Sequence, residues 1–385
     1  MGKMTYFDNA ATTFPKPNEV YDSMDTFYRE CGVNPGRGQY HLGSKAALLI
    51  EETRDLMKEL LNTKDEQEIV FMNSATEAIN IILQGFDWQG GETVYITPFE
   101  HNGILRTLHH LEKIYKIKTE YLDISISSLS YNIEKIQIQF QNKKPDLVIM
   151  NHASNVTGLI APVKEISKYA KKAGATVMVD GAQTAGLLPI SLKKWDVDYF
   201  VFAGHKTLYG PLGIAGFVAN KTCKLKPLLF GGTGIDSENR TLPKTVPEKF
   251  EVASRNIPAT AGLNAALKWI NETNRAAIHE KEKKLTEKLF SLLKSYNNIR
   301  VYANDNLNNH IGVVSCTFTN VSSERVGEIL NRENIAVRTG LHCAPDAHKL
   351  INTFPAGTVR FSLGYFNTED DLDKLEEVLD ELEFL

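Results

Sequence analysis

In the stretch AGHKTLYGP a lysine, Lys206, sits between a histidine and a threonine inside a glycine-bounded turn, directly after the apolar run YFVF. A surface lysine needs no such setting. A lysine that must act as a nucleophile or carry a proton does, because burial near other donors favours its neutral amine. Four further apolar runs end in polar clusters: Asn73-Ser74-Ala75-Thr76 after EIVFM, Glu100-His101-Asn102 after TVYITPF, HASN (residues 152–155) after DLVIMN, and Asp180-Gly181-Ala182-Gln183 after TVMV. Singly, each has an ordinary explanation. SATE reads as a helix N-cap with a reciprocal glutamate, Asp180 as a turn residue, His101 as a satisfied loop histidine, and most lysines are simply solvated.

A sheet would bring the clusters together. From about residue 65 to 220, short apolar runs alternate with helical patterns such as TEAINIILQGF and VKEISKYAKKAG. That alternation predicts an α/β fold with a mainly parallel sheet covered by helices on both faces. In such a sheet ligands bind beyond the carboxyl ends of the strands, so all five clusters fall along one edge. The run GIAGFVAN begins too soon after Lys206 for a parallel crossover and is expected to pair antiparallel or to enter another layer. After a loop rich in Gly, Pro and Thr, one long helical stretch is expected from about residue 262 to 296. The segments VVSCTF, SSERVGEILNREN, TVRFSLG and TEDDLDKLEEVLDEL then read as a small α+β domain. The organisation expected is an N-terminal segment, 1–30, packed on the small domain; a large domain, 31–260; and a linking helix with the small C-terminal domain, 261–385.

At 385 residues, 42% hydrophobic and 23% charged, the chain has the composition of a globular protein with a sizeable core. Its net charge of -4 argues against nucleic acid as a partner, since phosphate binding needs a clustered basic surface. The lysines at 281, 283 and 284 alternate with glutamates and read as a solvated helix face. The opening MGKMTYFDNAATT lacks a signal-peptide core, and no apolar run reaches membrane-spanning length. A cytoplasmic location without membrane contact follows as the expectation. Four scattered cysteines make no disulfide framework; Cys316 in VVSCTF is expected in the core.

Together the clusters have one chemical logic. A lysine can form a Schiff base with an aldehyde, a carboxylate can keep a pyridine nitrogen protonated, and a helix start can seat a phosphate. These are the protein-side requirements of pyridoxal phosphate, whose ring acts as an electron sink.

Eight motifs in register then carry a resemblance: YFDNAATTFPKP, NSATEAIN, FEHNGILR, NHASNVTG, VDGAQTAG, FAGHKTLYGP, RTGLHCAP and TVRFSLGYFNTEDDLDKL. The chain resembles the class V aminotransferase superfamily of fold type I pyridoxal phosphate enzymes, and within it the cysteine desulfurases and selenocysteine lyases. The resemblance implies a large domain with a mainly parallel seven-stranded sheet plus a small C-terminal domain. It implies Lys206 as the Schiff-base lysine, Asp180 as partner of the pyridinium nitrogen, Gln183 as donor to the ring hydroxyl and His101 stacked on the ring. Ala75, Thr76 and His205 would bind the phosphate, joined by Ser254 from a neighbouring subunit, which implies a homodimer. Asn155 and Arg360 would hold the substrate carboxylate, with Arg338 near the same site.

By the same resemblance Cys343 is the mobile-loop cysteine that takes sulfur from L-cysteine as a persulfide, leaving L-alanine. The sulfur would pass to an acceptor protein, iron–sulfur cluster assembly being one destination in the family. A thiolate is a strong nucleophile when an adjacent cation or base favours it, and His342 is a candidate helper. A zinc site from His342, Cys343 and His348 lacks the second ligand pair of structural zinc, so no metal is expected. Ala203 stands where relatives often have a phosphate-binding hydroxyl, and Leu341 replaces a histidine found in some of them. The alternative is another class V enzyme, a selenocysteine lyase, aminotransferase or amino-acid lyase, acting on a different amino acid.

Overall fold

The computed structural model describes residues 4–35, 40–234, 238–304, 307 and 309–382. The first three residues of the opening stretch and positions 235–237 of the Gly-, Pro- and Thr-rich loop lie outside the described residues.

In spatial order the large sheet runs Gln67–Met72, Ala215–Asn220, Tyr199–Ala203, Thr176–Asp180, Leu147–Asn151, Thr93–Ile96 and Lys118–Tyr121. Ala215–Asn220 is antiparallel to both neighbours, with Ala215 opposite Met72 on one side and Ala203 on the other. The other pairings are parallel. Met72, Ile96, Asn151, Asp180 and Ala203 therefore end their strands along one edge, with Asn151 directly opposite Asp180.

The strands are apolar runs without polar alternation because both faces are covered. Val148, Val177, Val179 and Phe200 point into one apolar cluster, while Leu147, Ile149, Met178 and Val201 point into the other. This is the two-residue period of a strand between two helical layers. Only the edge strand Lys118–Tyr121 is largely open to solvent, and its sequence KTEY is correspondingly polar.

The small domain has a four-stranded antiparallel sheet in the order Ile299–Val301, Val313–Phe318, Thr358–Ser362 and Arg338–Gly340. Helices Arg275–Ser295, Ser323–Arg332 and Glu369–Leu382 supply apolar residues to its core, where Cys316 is fully buried. Arg338–Gly340 stands beside Thr358–Ser362 with Arg338 opposite Arg360.

Two departures from expectation bear on the site. The long helical stretch is two helices, Ile257–Thr273 and Arg275–Ser295, broken at Asn274. Asn274 takes a left-handed φ of 70° and caps the second helix by accepting from the Ala276 N–H. The first thirty residues also divide. Thr5–Tyr6 pairs with Ile335–Ala336 and Asp8 bridges to Ser362, both on the small domain. The helix Asn18–Cys31 instead packs on Ile257–Thr273, where Ser23 Oγ donates to the Ala261 carbonyl. The segment between them is a strap running from the small domain across to the large one. Among the described residues no helix is long and apolar enough to cross a membrane.

Candidate active site

A pocket of about 240 Å³ opens at the carboxyl edge of the large sheet and is closed on its far side by residues of the small domain. It gathers Ala75, Thr76, His101, Asn155, Asp180, Gln183, His205, Lys206, Arg338, Cys343 and Arg360. Of the residues nominated from the sequence, Ser254 is the one placed elsewhere, in a separate pocket beside Gly213 and Arg255.

Lys206 stands in the turn between strands Tyr199–Ala203 and Ala215–Asn220. The turn is tied tightly: Gly204 N–H donates to the Ile214 carbonyl, Gly210 N–H to the Gly204 carbonyl and Tyr209 N–H to the Lys206 carbonyl. Thr207 Oγ1 adds a bond to the Ala185 carbonyl at 2.6 Å. Gly204 is required sterically, since a Cβ there would stand 2.5 Å from the Ile214 carbonyl oxygen. Gly204→Ala is expected to destabilise the protein by about 1–3 kcal/mol, as backbone overpacking does, and to loosen cofactor retention. Thermal unfolding and cofactor absorbance after gel filtration read both effects.

Around Lys206 the side chains set protonation. The Lys206 pKa is lowered, first by burial of its amine against surrounding protein; Asp180 opposes the shift while Arg360 and Arg338 reinforce it. His101 is likewise pushed down, first by burial and then by Lys206. Its Nδ1 accepts from the Gly103 N–H at 3.0 Å, capping helix Asn102–Tyr115. A neutral ring that accepts at Nδ1 carries its proton on Nε2. Beneath it Glu100 is fully buried and raised to about 8, chiefly by burial, and its Oε1 accepts from Thr97 Oγ1 and the Asn151 N–H at 2.7 Å each.

At the other end of the pocket, helix Ala75–Gly85 begins with Ser74 Oγ accepting from the Glu77 N–H at 3.1 Å. The Glu77 carboxylate reaches the Asn73 N–H, one residue earlier than a reciprocal capping box would have it. The N–H groups of Ala75 and Thr76 are left at the helix start, where an anion is favoured. His205, kept neutral by burial at a pKa of about 4, has a buried Nδ1 with no partner.

These residues fit pyridoxal phosphate. The helix start and the unpartnered His205 Nδ1 suit a phosphate. Asp180 Oδ1 accepts from the Ala182 N–H at 2.9 Å, leaving its other oxygen for a ring nitrogen. Gln183 departs from expectation in part: its Nε2 already donates to the Ala10 carbonyl at 2.9 Å, so a ring hydroxyl would take its second hydrogen. Ala203 lines the pocket without offering a hydroxyl.

On the small-domain side Arg360 is 1% exposed. Its Nη2 donates to Asp8 Oδ1 at 2.5 Å and its Nη1 to the Asn155 carbonyl at 3.1 Å. Arg338 Nη2 lies 3.4 Å from Cys343 Sγ as a donor to the sulfur. His342 and Cys343 take consecutive left-handed conformations, φ 47° and 59°. That strained turn is held from three sides. Asn155 Nδ2 donates to the His342 carbonyl at 2.7 Å, Asn102 N–H donates to the Cys343 carbonyl at 2.7 Å, and the His342 ring bonds Thr358 Oγ1 at 2.8 Å. Neither ring nitrogen of His342 bonds the thiol, Nε2 being on Thr358 Oγ1 and Nδ1 buried without a partner. Burial holds the ring neutral with a pKa near 2, so it is an anchor and not the helper of Cys343 considered from sequence.

Asp8 and the backbone of Ala10 belong to the site although no role was assigned to them from sequence. Both lie in FDNAATT, one of the motifs that carried the resemblance, so the signal was present without its meaning.

A family model described as "Aminotransferase class-V" matches residues 5–375. A probable cysteine desulfurase of Pyrococcus abyssi is 32% identical over 387 aligned residues, covering 99% of this chain and 94% of that one. A cysteine desulfurase of Haloferax volcanii is 29% identical, covering 98% and 89%. Among solved structures, the apo cysteine desulfurase from Thermococcus onnurineus NA1 superposes with a TM-score of 0.91 at 30% identity, covering 98% and 94%. The Escherichia coli cysteine desulfurase in its S-sulfonic acid form gives 0.87 at 26%, covering 99% and 95%. With the family match and these alignments running along nearly all of it, the chain belongs to the aminotransferase class-V family, whose members are pyridoxal phosphate enzymes.

Proposed function

We propose that the protein is a cysteine desulfurase that converts L-cysteine to L-alanine and takes the sulfur onto Cys343 as a persulfide. The observation that carries this reading is one pocket lined by both an amine, Lys206, and a thiol, Cys343. When bound, pyridoxal phosphate supplies the electron sink that makes the substrate α-proton removable.

The residues divide the remaining work. Ala75, Thr76 and His205 hold the phosphate, Asp180 holds the ring nitrogen, Gln183 meets the ring hydroxyl and His101 covers the ring face. Arg360 binds the substrate carboxylate through a planar fork that lysine could not copy. Asn155, beside it, ties that subsite to the Cys343 loop. Lys206, its neutral form favoured by burial, attaches the cofactor and afterwards moves the α-proton as a general base. Cys343 Sγ forms the new S–S bond as the substrate C–S bond breaks. The electron pair of the broken bond stays with the carbon fragment, which takes up protons and leaves as alanine. Arg338 accompanies the sulfur through the step.

Ser254, in a different pocket from Lys206, suits a hydroxyl that serves the phosphate of a second copy. Leu229, in the wall of the same pocket, is 47% exposed and its neighbour Phe230 is 76% exposed, which supports a homodimer. The persulfide then passes to a thiol of an acceptor protein. Four free cysteines suit a reducing, cytoplasmic setting.

The test is an amino-acid panel on the cofactor-loaded protein, with alanine quantified. L-cysteine is expected to give alanine in multiple turnovers with a thiol acceptor present. Turnover of another amino acid with no alanine from L-cysteine would assign the chain to a different activity.

A further inference from the structure

A guanidinium buried as deeply as that of Arg360 must have its donors satisfied, because each unpaired donor carries the full penalty of lost water. Asp8 takes one bond at Nη2 and the Asn155 carbonyl one at Nη1, while Nε is buried with no partner. Arg338 stands opposite Arg360 in the neighbouring strand, so the two cations repel across the sheet. Asp8 is the carboxylate paired with Arg360. It is itself held: its backbone bridges Ser362, and its carbonyl accepts from Tyr6 Oη at 3.2 Å and from the Ala11 N–H at 3.1 Å.

We infer that Asp8 is a positioning residue for substrate recognition, clamping the Arg360 guanidinium so that its remaining N–H donors are held for the carboxylate of the incoming amino acid. This rests on the reading of Arg360 as the carboxylate-binding residue. The strap that carries Asp8 also fixes the far side of the pocket: Thr13 Oγ1 donates to the Lys206 carbonyl at 2.9 Å and Thr13 N–H to the His205 carbonyl at 3.0 Å. A rigid backbone thus sets the distance between carboxylate subsite and lysine turn. Asp8 acts by position as well as charge: an acceptor of the right length at this point is what lets the carboxylate offset the buried cation.

The experiment titrates the cofactor-loaded protein with L-alanine, read by cofactor absorbance, alongside steady-state kinetics with L-cysteine. Asp8→Ala is expected to raise the half-saturating L-alanine concentration and the KM for L-cysteine about tenfold, the loss of roughly one hydrogen bond to a charged group, with kcat changed far less. Asp8→Asn, which keeps an acceptor at the same length without the charge, is expected to restore part of the affinity. Asp8→Glu, which keeps the charge but lengthens the arm, is expected to bind as poorly as Asp8→Ala. This pair decides the matter even if the alanine variant does not fold. Unchanged half-saturation in Asp8→Ala and Asp8→Glu, or an asparagine variant as weak as the glutamate one, overturns the inference. A wild-type protein that binds L-alanine but makes none from L-cysteine would remove the desulfurase reading and leave the Asp8 comparison intact. A wild-type protein that answers to no amino acid overturns both.

Discussion

Replacing Lys206 with alanine is expected to reduce alanine formation from L-cysteine by about 10²–10⁴-fold or more, the range of a lost general base, and to abolish the absorbance of lysine-bound cofactor. Among the described residues Lys206 is the one lysine lining the pocket, and the nearby Lys16 amine is tied to the Thr13 and His205 carbonyls, so no second amine is placed for attachment or proton transfer. Lys206→Arg should be no better. A guanidinium stays charged at neutral pH and cannot act as a nucleophile, so a positive charge at this position is not a substitute for a neutral amine. Surrounding protein lowers the Lys206 pKa below the ordinary lysine value of 10.5. Hence cofactor uptake by the apoprotein should speed up as pH rises and level off at a pH below that value. Stopped-flow absorbance across a pH series measures it.

The second large effect concerns Cys343. Cys343→Ala is expected to lower alanine release by at least about 10²-fold, yet to leave the cofactor absorbance and its immediate response to L-cysteine in place. The two halves of the pocket are separable because Lys206 and Cys343 sit on different domains and make no bond to each other. Exchange of the substrate α-proton with solvent deuterium should therefore persist in Cys343→Ala and vanish in Lys206→Ala. A Cys343→Ala protein with wild-type multiple turnover would remove the cysteine from the reaction. His342 offers no second route to activate sulfur, since neither of its ring nitrogens bonds the thiol.

What could be read from the sequence follows the range of the interactions involved. The inner strands of the large sheet were legible because burial on both faces leaves unbroken apolar runs, and the polar residues that end them mark the ligand edge. The antiparallel strand Ala215–Asn220 was legible from the short connection after Lys206. The strand Arg338–Gly340 was not, being three residues of RTG with no apolar period to announce it. The break at Asn274 was hidden within helix-forming neighbours, because an asparagine in left-handed conformation looks in sequence like any polar residue on a helix surface. In the site, the residue types were legible but their partners were not. Asn155 holding the His342 carbonyl, Gln183 holding the Ala10 carbonyl and Asp8 holding Arg360 each join residues far apart in the chain. Such bonds exist only once the two domains and the N-terminal strap have come together.

The central claim, that sulfur leaves L-cysteine for Cys343 in the pocket that holds Lys206, is met most directly by one mass measurement. The cofactor-loaded protein is mixed with a slight excess of L-cysteine and no acceptor, alkylated and digested, while alanine in the same sample is counted. The expected result is one added sulfur atom on the peptide containing Cys343, in proportion to the alanine formed, with none on the peptides containing Cys31, Cys223 or Cys316. Alanine formed with Cys343 unmodified, or sulfur carried on another cysteine, would contradict it.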